Sequence, residues 1–317
     1  MNILANDGVS QDGVNLLEDN GHTVIQKNVA QDQLAEFMNE NEIHVLLVRS
    51  ATKVRKELID QVEDLKIIGR GGVGLDNIDV DYAESKGMKV INTPAASSES
   101  VADLVIGHMF SGIRFLKNAN REMPLEGESN FKKLKKSYAK GTEAAGKTFG
   151  IIGFGRIGQA LAKRAIGLGM KVIAYDKFID EAKVQLEFFD GQSVDFTIKT
   201  TDFNSVITES DVISLHVPAQ KEYIIGKTEL EKMKPDAGII NTARGGIIDE
   251  KALVKALDED KLGYAALDVF ENEPTPAVKL LMNPKLSLSP HIGGATVEAQ
   301  SRIGVELAEQ ILALDKS

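Results

Sequence analysis

The sequence predicts an α/β protein made of two doubly wound units, each a parallel sheet with helices on both faces. Three observations carry this. Short apolar β-type runs alternate with helical patterns almost throughout, as parallel sheets require. The runs fall into two series, one ending near Ile91 and the other beginning at Thr148. The chain has 317 residues, which at ~150 residues per domain suggests two domains, each long enough to bury a core.

Strands of the first series are expected at Ile3–Ala5, Thr23–Gln26, His44–Val48, Lys66–Gly69 and Lys89–Ile91. Helical segments Val9–Asn20 and Gln31–Asn39 lie between them, and Gly21 is a C-terminal stop for the first. Ser98–Leu116 is mostly apolar and reads as a long buried helix. Asn118–Gly146 then turns irregular and basic, with Lys132, Lys133, Lys135 and Lys136 around Leu134. Such a run suits a solvated surface or a subunit contact, with substrate-anion binding as the alternative. Strands of the second series are expected at Thr148–Ile152, Lys171–Tyr175, Val212–His216, Gly238–Asn241, Tyr264–Leu267 and Leu286–Leu288.

Composition narrows the function. Hydrophobic residues make up 43% and charged residues 26%, ordinary for a globular protein. The net charge of −10 argues against general binding to nucleic acid or anionic lipid. The absence of cysteine excludes disulfides, thiolate–metal sites and thiol nucleophiles. The longest stretch free of Asp, Glu, Lys and Arg, Leu286–Val297, is too short to span a membrane. Met1–Asp7 lacks the basic start and apolar region of a signal peptide. A cytoplasmic enzyme or binding protein is the expectation.

Gly153-Phe154-Gly155-Arg156-Ile157-Gly158 follows the strand Thr148–Ile152 and opens a helix, Arg156–Leu168. The chain returns in Lys171–Tyr175 and ends that strand at Asp176. Gly153 permits a tight turn, Gly155 lets the backbone approach a pyrophosphate, and Gly158 lets the helix pack against the sheet. The helix N-terminus, at Arg156 and Ile157, offers unpaired N–H groups and a partial positive charge to phosphates. Asp176 suits both ribose hydroxyls and would repel a 2′-phosphate, so NAD is expected rather than NADP.

Hydride chemistry on a 2-oxo acid needs a cation for the carboxylate and carbonyl, a general acid, and a group that keeps the acid charged. Five histidines are available: His22, His44, His108, His216 and His291. His291 lies in Ser289-Pro290-His291-Ile292-Gly293-Gly294, just after a strand, where sites collect in open α/β sheets. His44 and His108 sit in apolar segments and suit structural roles, and His22 follows a turn glycine that should expose it. Arg244 emerges from a strand end beside paired glycines, and its planar fork suits a carboxylate. Glu273 also follows a strand end, and a carboxylate beside an imidazole favours imidazolium. Spacing alone does not show whether these three converge.

Over essentially its whole length the chain resembles the D-isomer-specific 2-hydroxyacid dehydrogenases. The matching segments are Gly153–Gly158 with Asp176, His216-Val217-Pro218, Asn241–Gly246, Asp268–Pro274 and Pro290–Gly294. The resemblance implies that Arg244 binds carboxylate, that Glu273 partners the acid/base His291, and that Asp268 holds the nicotinamide carboxamide. It implies further cofactor contacts at Thr242, Ala243 and Gly293, with His216, Val217 and Pro218 along the adenosine. Val48–Val54, Gly69–Asn77 and Ile292–Gln300 are similar to members acting on a phosphorylated three-carbon 2-hydroxy acid. In those, Arg49 and Arg70 would face the phosphate end, while Ser50, Ala51, Gly72 and Val73 would offer backbone N–H groups to the carboxylate. Relatives with other 2-hydroxy acid substrates, and NAD-sensing corepressors on the same scaffold, are the alternatives. Ser97 stands where the family often has Asn, Asp103 where Glu is usual, and the arm lacks the usual Trp.

The implied fold is Rossmann-like twice over. A flavodoxin-like substrate domain, residues 1–97 and 291–317, is split by an inserted NAD-binding domain with a dimerisation arm, 98–290. Substrate is expected in a cleft that closes on a hinge, and the assembly is expected to be a homodimer. With the chain ending at Ser317, no C-terminal regulatory domain is expected.

Overall fold

A computed structural model describes residues Met1–Lys316. Two compact units divide the chain, Met1–Ser100 with the segment from Gly294 onward, and Val101–Gly293. The divisions fall at 100/101 and 293/294, a few residues beyond those expected, so His291 stands with the second unit.

The first unit runs β1 (Asn2–Ala5), α1 (Gln11–Glu18), β2 (Thr23–Gln26), α2 (Leu34–Glu40), β3 (Ile43–Val48), α3 (Lys56–Ile59), β4 (Ile67–Arg70), α4 (Val80–Ser85) and β5 (Lys89–Asn92). Its sheet is wholly parallel in the order β2-β1-β3-β4-β5, the flavodoxin-like order. Side chains alternate between two cores because strand residues point to opposite faces. Ile3, Val45, Leu47 and Ile67 enter one core, while Leu4, Leu46, Val48 and Ile68 enter the other. The C-terminal helix, Val297–Asp315, starts at Thr296, whose hydroxyl accepts from Ala299 N at 3.2 Å. Its Ile303, Leu307 and Ile311, spaced by four, fill the first core as one helical stripe.

Helix α5 (Ser98–Ile113) begins in the first unit and enters the second at Val101; the second unit continues through α6 (Leu116–Ser137), β6 (Thr148–Ile152), α7 (Arg156–Gly167), β7 (Lys171–Tyr175), β8 (Glu181–Glu187) and β9 (Ser193–Lys199). Then follow α8 (Phe203–Glu209), β10 (Val212–Leu215), α9 (Lys227–Lys232), β11 (Gly238–Asn241), α10 (Glu250–Asp258), β12 (Tyr264–Leu267), α11 (Val278–Leu281) and β13 (Leu286–Leu288). The C-terminal helix is α12. Six parallel strands run β13-β12-β11-β10-β6-β7. Chain order reverses between β6 and β10, the place where open α/β sheets bind ligands. Among the described residues, no helix is long and apolar enough to cross a membrane.

The structure corrects the reading of three segments. The long apolar helix ends at Ile113, because Phe115 adopts a left-handed backbone, φ = +55°. The basic stretch expected to be irregular is instead helical over Leu116–Ser137, with a break at Asn130. Its Leu, Lys, Glu, Arg and Met content favours helix strongly enough to absorb Pro124. Between β7 and β10 the chain forms an antiparallel hairpin, β8–β9, not foreseen at all. Val184 is buried there, and Ala182, Leu186 and Ile198 pack on the same core as α7.

Candidate active site

Two loops flank the point of strand reversal. Gly153, at the end of β6, has φ = +93°, and a Cβ there would lie 2.3 Å from the His216 carbonyl oxygen. Only glycine fits. A Cβ on Gly158 would lie 2.3 Å from the Gly153 carbonyl, so α7 packs against the end of β6 as the sequence pattern demands. Gly155, the N-cap of α7, has nothing within 4 Å of its missing Cβ. That open space lies directly over the first turn, at Arg156 and Ile157, where N–H groups lack helical partners. Asp176, after β7, ties the loop down. Its Oδ2 accepts from Phe154 N at 2.7 Å, and its Oδ1 from Phe178 N and Ile179 N at 2.8 and 3.2 Å. With three of a carboxylate's roughly four acceptor directions used, one remains on Oδ2 for a ligand.

His216, beyond β10, shares a hydrogen bond of 3.0 Å with Ser214 Oγ, while its Nδ1 is buried without a partner. Enclosure of the ring pushes its pKa down, to about 3, so the imidazole is neutral. Val217 is half-buried and Pro218 exposed. Thr242, at the end of β11, has its hydroxyl buried without a partner. Such orphaned polar atoms are rare in a finished interior. Beside the open glycine cradle they fit a polar ligand with phosphates, as a dinucleotide is.

Three further groups come from the ends of three adjacent parallel strands. Arg244 stands three residues past β11, Glu273 six past β12, and His291 three past β13. Their loops are in contact. A Cβ on Gly245 would lie 1.9 Å from the Phe270 carbonyl oxygen, so the β11 and β12 loops pack backbone to backbone. Glu273 accepts from Phe270 N at 2.9 Å through Oε1 and meets His291 Nδ1 at 2.8 Å through Oε2. This pair is partly open to solvent and leaves His291 Nε2 outside the ion pair. Arg244 is half-buried, and its guanidinium donates to the Ala243 carbonyl at 2.6 Å.

Asp268 holds the His291 loop from inside. It is 1% exposed. Its Oδ1 accepts from Ser289 Oγ and Ile292 N at 2.6 and 2.8 Å, and its Oδ2 from Gly293 N at 2.8 Å. Its carbonyl accepts from His291 N at 2.8 Å. His291 itself sits at φ = +55°, a strained conformation for a residue with a side chain.

In the first unit Arg49 and Arg70 end the neighbouring strands β3 and β4, Arg70 standing in register with Val48. The Arg70 guanidinium lies over Gly72, where a Cβ would be 2.0 Å from Nη1. Ser50, Ala51 and Val73 are exposed on the same two loops. Two residues that spacing did not single out fix these loops. Asp7 accepts from Arg49 N and Thr52 N at 2.7 and 3.1 Å. Asn77 donates to the carbonyls of Arg49 and Thr52 at 2.8 and 2.7 Å. A polar pair, Asn6-Asp7, right after a strand was the legible signal. Ser97 is buried against Gly294, and Asp103 pairs with Arg164 at 2.5 Å.

The other histidines divide. His22 is buried, not exposed as expected, within 3.1 Å of the Met1 amino group and 3.7 Å of Asp315. His44 accepts from Asn2 N at 3.3 Å. His108 is buried between two serine hydroxyls.

A family model described as the NAD-binding domain of D-isomer specific 2-hydroxyacid dehydrogenases matches residues 106–293. A D-3-phosphoglycerate dehydrogenase of Methanocaldococcus jannaschii is 42% identical over 98% of this chain, which spans 56% of that protein's length. A hydroxypyruvate reductase of Thermotoga maritima is 44% identical over 91% of this chain and 89% of its own. A glyoxylate reductase crystal structure from Paecilomyes thermophila superposes with a TM-score of 0.79 at 30% identity, covering 98% of this chain and 94% of that one.

Proposed function

The chain belongs to the D-isomer specific 2-hydroxyacid dehydrogenase family, and on that premise we propose that it interconverts D-3-phosphoglycerate and 3-phosphohydroxypyruvate. Gly153, Gly155, Gly158 and the first turn of α7 would hold the NAD pyrophosphate, Asp176 its ribose, and Asp268 the carboxamide. When bound, the reduced cofactor supplies hydride to C2 of the oxo acid. Arg244 binds the carboxylate and polarises the C2 carbonyl. His291 gives a proton from Nε2 to the C2 oxygen in reduction and takes it back in oxidation. Glu273, on Nδ1, orients the ring and offsets its charge. Thr242, Ala243, His216, Val217, Pro218 and Gly293 complete the cofactor contacts.

The observation that carries the choice of substrate is the pair of arginines, Arg49 and Arg70, at the ends of neighbouring strands. A three-carbon acid with a phosphate needs cations beyond the one on its carboxylate. Asp7 and Asn77 hold the Arg49 loop ready for that duty. Removing either arginine's charge is expected to damage turnover of the phosphorylated acid far more than that of hydroxypyruvate; equal losses on both would sink the assignment.

A hydroxypyruvate or glyoxylate reductase is the second reading, favoured by the match to the Thermotoga enzyme over 89% of its length. The proposal also places the reaction in the cytoplasm at the entry to serine synthesis, and makes the protein a homodimer. The exposed Leu116, Met123, Leu125 and Phe131 of α6 support the dimer. His291→Ala is expected to lose ~10²-fold or more in turnover with NADH binding little changed. Turnover near that of the wild type would remove His291 from the acid role.

A further inference from the structure

His108 has no part in the chemistry above, and its segment suits a structural histidine. Its surroundings assign it more. The ring is 6% exposed, on α5. Nε2 lies 2.9 Å from Ser289 Oγ, and Nδ1 lies 2.9 Å from Ser287 Oγ. Ser289 Oγ lies 2.6 Å from Asp268 Oδ1, and Ser287 Oγ lies 3.3 Å from Ser111 Oγ. The five side chains form one unbroken row, Ser111–Ser287–His108–Ser289–Asp268, half-buried at Ser111 and Ser287 and buried from His108 to Asp268.

The direction of this row follows from the chemistry of its end. A carboxylate only accepts, and Asp268 already receives Ile292 N and Gly293 N. Ser289 must therefore spend its single proton on Asp268. Its oxygen can then only accept from the ring, which requires a proton on His108 Nε2. Burial pushes the His108 pKa down, so the ring is neutral and Nδ1 carries none. Nδ1 therefore accepts from Ser287, whose oxygen lies 3.3 Å from that of Ser111. From Ser287 through His108 to Ser289 each proton has one place to go, and rows so aligned strengthen one another.

We propose that His108 is a positioning residue for the active site: as the Nε2–H tautomer it fixes the Ser289 hydroxyl on Asp268, and so fixes the loop that carries His291. The loop needs such support, because His291 sits at φ = +55° and the Asp268 carboxylate holds both of the residues that follow it, through Ile292 N and Gly293 N. The effect on turnover rests on the role given to His291 under the proposed function; the effect on the loop does not.

Two variants separate positioning from packing. His108→Gln keeps a donor toward Ser289 and an acceptor toward Ser287, whereas His108→Leu keeps only bulk. In His108→Leu, amide hydrogen exchange at Ile292 and Gly293 is expected to speed up at least ~10-fold relative to amides of β12, and turnover to fall ~10-fold with NADH affinity changed less than ~3-fold. His108→Gln is expected to restore both. Exchange at these two amides unchanged in His108→Leu, or Gln no better than Leu, overturns the proposal. Should His108→Leu fail to fold, Ser289→Ala is expected to loosen the same amides, and unchanged protection there overturns it equally. Nitrogen NMR of the wild-type ring is expected to show the Nε2–H tautomer; Nδ1–H contradicts it. If the wild type reduces no 2-oxo acid, the proposed function falls while the exchange and tautomer measurements still decide this point.

Discussion

His291 combines a strained backbone, a partly exposed ring and a carboxylate on Nδ1. A left-handed conformation costs a residue with a side chain roughly 1–3 kcal/mol, and the bonds around Asp268 offset that cost. Glu273 accepts from both Phe270 N and His291 Nδ1. Glu273→Gln must therefore turn an N–H toward one of these donors. Its turnover is expected to fall ~10²-fold with folding and NADH binding intact, and undiminished turnover would show that Glu273 does not orient the acid. The types and strand-end positions of Arg244, Glu273 and His291 were legible in the sequence. The contact of Glu273 with His291 and the packing of the Arg244 loop on the Glu273 loop were not, because they depend on which strands neighbour which. His22 was misread for a related reason: a residue after a turn glycine looks exposed until the Met1 amino group and α12 cover it.

Elements were legible where their period was undisturbed. The strands at Thr148–Ile152, Gly238–Asn241 and Tyr264–Leu267 lie where apolar runs placed them. The hairpin β8–β9 was missed although Asp190-Gly191 sits between alternating runs, a known turn signal. The dominant strand–helix–strand rhythm masked it. Packing between α1 and α12 depends on a missing side chain, since a Cβ on Gly13 would lie 2.6 Å from Gly304 backbone atoms. Gly13→Ala is expected to destabilise the protein by about 1–3 kcal/mol. Gly107, in α5, has nothing within 4 Å, and Gly107→Ala is expected to be neutral or to stabilise by up to ~1 kcal/mol. Urea denaturation of both variants measures the difference; equal effects would contradict this account of the helix contact.

At the scale of the molecule, the two-unit plan was visible in two series of strands, whereas the return of α12 to the first unit came only through family likeness. Buried neutral histidines give the whole chain a pH signature. Burial holds His22, His108 and His216 below their ordinary pKa. Above pH ~6.5 both folded and unfolded forms leave these rings neutral. Below it the unfolded chain takes up protons that the folded one refuses, so stability falls with pH. Each ring contributes a slope of a little over ~1 kcal/mol per pH unit at most. Glu250, pushed up by burial and by Glu271 and Glu273, works in the opposite sense as one group against three. Stability measured from pH 7.5 to 5 should therefore decline, and a flat or rising curve would contradict the burial of these rings. Substrate preference decides whether Arg49 and Arg70 serve a phosphate. NADH oxidation is followed with 3-phosphohydroxypyruvate beside hydroxypyruvate, glyoxylate and pyruvate at matched concentrations. A kcat/KM at least ~10-fold higher for the phosphorylated acid, ~1.4 kcal/mol in the transition state, is the predicted result. Preference for an unphosphorylated acid would contradict it and leave Arg49 and Arg70 without their assigned ligand.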